Sequence, residues 1–202
     1  MSARADPAPV EVRRLSRAEA QSAFDRLARL RIEVFRDYPY LYEGDLDYER
    51  RYLATSMASP GAVVIGALAA GALVGAATAA PLADHFEEFA QPFAARGLDP
   101  AEFFYFGESV LRKAHRGQGI GVRFFEERER AAREAGFSRC VFSAVVRPPD
   151  HPARPADHVP LDAFWTKRGY ARIDGLSTGF SWRDAGDAEE SVKPMEFWQK
   201  RL

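Results

Sequence analysis

The segment Arg116-Gly117-Gln118-Gly119-Ile120-Gly121 joins residue types and spacing that could do chemistry. Apolar residues run up to it and an amphipathic stretch follows, so it reads as a glycine loop between a strand and a helix. The first turn of a helix leaves backbone N–H groups unpaired, and the helix dipole adds partial positive charge there. Glycines let a phosphate approach those amides closely, and Arg116 could add a charge-assisted contact. Two better-known phosphate loops fail on spacing. A Walker loop needs Lys and then Ser or Thr after its last glycine, whereas Val122-Arg123 follows Gly121. A dinucleotide fingerprint counted from Gly117 or Gly119 would need its third glycine at Val122 or Phe124. The pattern that remains is Arg-x-x-Gly-x-Gly, met by Arg116, Gly119 and Gly121.

The elements that must position this loop can be read from periodicity and punctuation. Phe103–Leu111, rich in aromatics, predicts the strand before it, and Gly119 to Ala135 the helix after it, stopped at Gly136. Val10–Leu15 reads as a first strand. Ser16 with Glu19 has the capping-box spacing for a helix carrying Phe24, Leu27, Leu30, Val34 and Phe35. That helix stops before Pro39 in an aromatic loop with Tyr38, Tyr40 and Tyr42, and Asp45 caps a second helix to Met57. Asp84–Ala95 predicts another helix, with Phe86, Phe89 and Phe93 on one face. Arg139–Val146 predicts a strand, and Leu161–Arg168 a short helix ending at Gly169. Ser177–Arg183 and Val192–Lys200 predict a closing hairpin across the acidic turn Asp184–Glu190. Between Arg147 and Pro155 there is too much proline for any regular element.

Pro60 to Ala83 carries no charge and is long enough to cross a bilayer, with a Gly71-x-x-x-Gly75 spacing inside it. It is mostly Ala and Gly and has no Trp or Tyr at either end, so the expectation is two buried strands, Ala62–Ala69 and Ala72–Ala79, and no membrane partner. The formal net charge of −1 gives no reason to expect nucleic acid. Cys140 is alone, which fits a reducing cytoplasm. His151 and His158 have no Cys or carboxylate at metal-ligand spacing, so no metal is expected. With no internal repeat or linker, residues 1–202 read as one α/β (α+β) domain around a single sheet, with 1–9 a frayed end.

Phe106-Gly107-Glu108-Ser109-Val110-Leu111 followed by Arg116–Gly121 resembles motif A of the GNAT (N-acetyltransferase) superfamily. Ala163-Phe164-Trp165-Thr166-Lys167-Arg168-Gly169-Tyr170 is similar to that family's later helix-to-strand signature. The resemblance runs from Val10 to Lys200. It implies a mixed, mostly antiparallel sheet of about seven strands, flanked by helices, whose central strands splay apart beside motif A. It also implies acetyl-CoA as co-substrate. Pantetheine would lie along Ser109, Val110 and Leu111, with the pyrophosphate on the amides of Gln118, Gly119, Ile120 and Gly121.

Transfer to an amine needs a neutral nitrogen, a polarised carbonyl and a stabilised thiolate. The Val110 N–H is the expected polarising donor, and Glu108 the candidate general base, with Glu102 its competitor. Where the family often has a Tyr as general acid this chain has Trp165, whose indole N–H only donates, so Trp165 is expected to shape the acyl end of the cofactor site. Tyr170, where the family usually has Phe, is expected in the core. Tyr40, Tyr42, Arg147 and His151, in two loops, are candidate contacts to a small amine or an amino terminus. Two functions from different classes are thus open, an acetyl-CoA-dependent N-acetyltransferase and a non-catalytic acyl-CoA-binding or regulatory module. A homodimer is open too, resting on Phe180, Trp182, Phe197 and Trp198.

Overall fold

The computed structural model describes residues 9–202. The end expected to fray lies outside the described residues except for Pro9. Seven strands form one sheet: β1 (Val10–Arg14), β2 (Val63–Ala69), β3 (Ala72–Pro81), β4 (Phe103–Leu111), β5 (Arg139–Val145), β6 (Ala171–Trp182) and β7 (Ser191–Arg201). Their order is β1-β2-β3-β4-β5-β7-β6, and every neighbouring pair is antiparallel except β4 with β5. One face is covered by α1 (Arg17–Ser22), α2 (Phe24–Phe35), α3 (Leu46–Ser56) and α4 (Glu87–Ala95), the other by α5 (Ile120–Glu134) and α6 (Asp162–Thr166).

The uncharged stretch after Pro60 becomes β2 and β3, a hairpin that is buried along most of its length. Ala70 and Gly71 both take positive φ (47° and 79°), the turn geometry that matches the twist of paired strands. No helix among the described residues is long and apolar enough to cross a membrane. The capping box at Ser16 forms as expected, Ser16 Oγ accepting from the Glu19 N–H and the Glu19 carboxylate from the Ser16 N–H. The single helix expected after it is two, α1 and α2, broken at Ala23, which leaves the helical ψ range near −1°.

The helix expected from Asp84 begins later, at Glu87, after a 3₁₀ turn over Leu82–Asp84. Pro92 lies inside it and cannot donate to the carbonyl of Glu88; the Thr178 hydroxyl donates to that oxygen at 2.5 Å instead. The closing hairpin is longer than expected, β6 starting at Ala171 with a register shift between Arg172 and Ser177. Phe197, Trp198 and Trp182 of that hairpin are buried within the chain, and Phe180 is half-buried. Tyr170 is in the core, 1% exposed.

The sheet opens where the chemistry was expected. β4 and β5 pair only from Phe103 with Arg139 to Phe106 with Phe142. Beyond that, β4 follows β3 as far as Leu111, while β5 follows β7 as far as Val145. The strands therefore part at Gly107 and Ser143.

Candidate active site

The glycine loop is built by left-handed backbone. Gly117 and Gly119 have φ of 78° and 77°, a region that side-chain-bearing residues adopt at a cost. Gly119 is the residue preceding α5, and no side chain caps that helix. A Cβ at either glycine would meet nothing within 4 Å, so the backbone shape demands glycine while the space above stays open. At Gly121 a Cβ would touch the Phe164 ring at 3.4 Å. These features fit a ligand phosphate on the first-turn amides. Arg116 is partly spent on the loop itself: its Nε donates to the Leu111 carbonyl at 3.1 Å, and its guanidinium lies 4.0 Å from Asp37. Gln118 Nε2 donates to the Ala114 carbonyl at 3.4 Å.

A β-bulge sets the direction of Glu108. Ala79 pairs with Phe106 and Ala77 with Ser109, which leaves Gly107 and Glu108 opposite Thr78 alone. Phe104 and Phe106 face α5, but after the extra residue Glu108 and Val110 face α2 and α3. Gly107 gives the room, since a Cβ there would lie 2.5 Å from Thr78 Oγ1 and force that side chain to move. From the other side α5 props the bulge. Arg128 Nη1 lies 3.4 Å from the Thr78 carbonyl and 3.5 Å from that of Glu108, with the guanidinium over the Phe106 ring. Burial lowers the Arg128 pKa to about 10.

Glu108 looks into a cavity of about 90 Å³ that reaches the parting of the strands at Gly107 and Ser143. The Tyr105 hydroxyl and Ser143 Oγ bridge that gap at 2.7 Å. Arg31, from α2, lies 2.7 Å from Glu108 Oε2 and donates through Nε to Glu49 of α3. All three are buried, and the Oε1 atoms of Glu49 and Glu108 have no hydrogen-bond partner among the described residues. Burial opposes the Arg31 charge, but Glu108, Tyr52 and Glu49 outweigh it and its pKa rises. Aromatic walls surround these charges: Tyr40 and Tyr42 from the loop after α2, Phe180 and Trp182 from β6. Burial pushes the Tyr40 phenol up to about 12 and that of Tyr42 higher still, so both stay neutral at physiological pH.

The structure brings Glu108, Tyr40 and Tyr42 together in the cavity; Arg147, His151, Trp165 and Glu102 fall outside its lining. Arg147 ties the aromatic loop down, donating to the carbonyls of Pro39 and Tyr40 at 2.8 Å and gripping Asp184 at 2.7 and 2.9 Å. Asp184, the first residue of the expected acidic turn, is buried, and its pKa is lowered: burial alone would raise it, but Arg147 and Lys193 win. His151 Nδ1 accepts from the Ala153 N–H, and its ring lies 5.9 Å from that of Tyr38, outside the cavity lining. Trp165 packs between Phe142 and Trp198, 5.1 Å from each, on the α5 face. Glu102 lies at the far end of β4, 3.2 Å from Arg139. Cys140 is buried, its thiol pushed up to about 12 by that burial.

Arg31 and Glu49 were missed from sequence. A signal existed: Leu27, Leu30, Arg31 and Val34 share one helical stripe, so a charged residue stood on an apolar face.

The family model described as "Acetyltransferase (GNAT) family" matches residues 25–170. No curated protein sequence matches the chain. Among solved structures, a ribosomal-protein-alanine N-acetyltransferase from Brucella melitensis is similar at 17% identity with a TM-score of 0.61, over 95% of this chain and 99% of that one. A protein from Salmonella typhimurium, solved with its cofactor acetyl-CoA, has 13% identity and a TM-score of 0.59, over 96% and 95% of the two chains. The PaiA N-acetyltransferase from Thermoplasma acidophilum, in complex with coenzyme A, has 14% identity and a TM-score of 0.54, over 96% and 99%. At these identities the likeness is one of fold.

Proposed function

The chain belongs to the GNAT acetyltransferase family, and on that premise we propose that it moves the acetyl group of acetyl-CoA to an amine held over Glu108. The observation that carries this reading is a buried carboxylate with a free oxygen, Glu108 Oε1, at the point where β4 and β5 part. The amides of Gln118 to Gly121 hold the pyrophosphate, and the backbone of Ser109 to Leu111 holds the pantetheine arm. Acetyl-CoA supplies the acetyl group as a thioester; the acceptor nitrogen gains it, and the CoA thiol and one proton are released.

The chain's own work is then to orient, to keep water out and to move that proton. Glu108 takes it from the acceptor ammonium at Oε1, while Arg31 holds Oε2 and fixes the carboxylate plane. The Val110 N–H is the donor proposed for the carbonyl oxygen. Tyr40 and Tyr42 line the cavity and reduce the water beside the reacting atoms.

Trp165 motivates a second reading, a module that binds acyl-CoA without transfer, because the indole cannot protonate a thiolate. One experiment separates the readings. Acetyl-CoA is expected to raise the melting temperature of the full chain, and a panel of amines to release free thiol. Stabilisation without thiol release on any amine would favour the binding module; no stabilisation would sink both.

A further inference from the structure

The charges under the cavity select what can enter it. Arg31 is the cation there, and it is already shared between Glu49 and Glu108. Its guanidinium face is also occupied, lying 4.2 Å from the centre of the Tyr52 ring. Two neighbouring cations are committed elsewhere: Arg147 to Asp184 and the aromatic loop, Lys193 Nζ to the carbonyls of Trp182 and Ser191 and to Asp184. With both acids ionised the floor carries one net negative charge. Glu49 is fully buried and Glu108 is 6% exposed, and each keeps one oxygen without a partner among the described residues.

Such oxygens are costly to bury unless a ligand donates to them. An ammonium offers three donors and the missing positive charge, which suits two carboxylate oxygens. A ligand carboxylate or phosphate would instead meet two acids with no free cation to offset them. Above this floor the walls are ring faces and edges, including Tyr42, Phe89, Phe180 and Trp182, which accommodate an apolar body and attract a cation.

Resting on the acetyl-transfer reading, we infer that the acceptor is a primary monoamine on an aryl or alkyl body with no acidic group, its ammonium held jointly by Glu49 and Glu108. Glu49 is then a specificity residue that contacts the ligand, and α-amino acids are excluded by their carboxylate rather than by their size.

The test compares 2-phenylethylamine, L-phenylalanine and a short peptide with a free amino terminus and an amidated carboxyl end. The first two differ by one carboxylate. Thiol release gives kcat/KM for each on the full chain, and calorimetry with the CoA-saturated protein gives binding without turnover. The expected preference for the amine over the amino acid is about 100-fold or more, the scale of leaving buried charge uncompensated. Glu49→Gln is expected to shrink that ratio by about tenfold while the acetyl-CoA melting shift stays as it was. Because the amine and the amino acid are compared on unaltered protein, a poorly folding variant does not spare the inference. Equal or better use of L-phenylalanine overturns it, and so does a peptide that outruns the amine; both leave acetyl transfer standing. No melting shift with acetyl-CoA and no turnover on any acceptor overturns the two together.

Discussion

Arg31 Nη1 lies 2.7 Å from Glu108 Oε2, joining the middle of α2 to the bulge of β4 beneath the cavity. Since Arg31 also holds Glu49, one guanidinium compensates two buried carboxylates and links three elements. Removing it alone leaves both acids buried without a partner.

Arg31→Met is therefore expected to destabilise the fold by about 3–5 kcal/mol, the usual cost of stranding buried charge. A variant that also carries Glu49→Gln and Glu108→Gln is expected to recover part of that loss. Denaturant midpoints for the two variants check the order; an Arg31→Met protein as stable as the parent would mean that the ion pairs contribute nothing.

For Glu108 the expectation separates catalysis from binding. Glu108→Gln keeps the shape and the partner but cannot accept a proton, so thiol release should fall about 10²–10⁴-fold. Stabilisation by acetyl-CoA should persist, because the glycine loop is untouched. An undiminished rate would remove Glu108 from proton transfer.

Gly119→Val forces a β-branched residue to φ near 77° and should cost about 1–3 kcal/mol through backbone strain. It also puts a side chain over the first-turn amides of α5. Melting curves with and without acetyl-CoA should show both a lower melting temperature and a lost ligand shift. A retained shift would place the phosphate somewhere other than on these amides.

His85 gives a pH dependence. Burial lowers its pKa to about 4, and its ring stacks on Tyr105 with Nε2 unpaired. An unfolded His titrates near 6.5, so between about pH 6.5 and pH 4 the unfolded chain binds more protons than the folded one, and stability falls as pH falls. The full loss, reached below pH 4, is about 3 kcal/mol. Urea unfolding at pH 7 and pH 4.5 measures it, and His85→Phe should flatten the difference. If that variant keeps the full pH slope, other groups are responsible.

Much of this was legible because local rules and tertiary packing agreed. Phe103–Leu111 is the strand its aromatics announce, and the hairpin after Pro60 turns at Ala70-Gly71, between the two strands expected there. The bulge at Gly107-Glu108 was not legible: no periodicity marks one surplus residue, and Thr78, which faces it, belongs to another strand. The cavity was hidden for a similar reason, since its floor and walls come from α2, α3, β4 and β6 and meet only in three dimensions. The burial of Asp184 was not legible either, because the residue that claims it, Arg147, comes from a loop distant in sequence. The break at Ala23 has no sequence signal that we can identify.

The bulge has a further consequence for how this strand can change over generations. In a strand, odd and even positions are assigned to opposite faces, and one surplus residue swaps that assignment for everything downstream. Deleting Gly107 would not merely shorten β4 by one unit. It would leave Glu108 alone opposite Thr78 and restore plain alternation, with Glu108 still on the cavity face and Ser109 still opposite Ala77. A residue can thus be lost at the bulge with the faces on either side kept, whereas a loss in the regular part of β4 would turn the residues beyond it over, like a frameshift written in three dimensions.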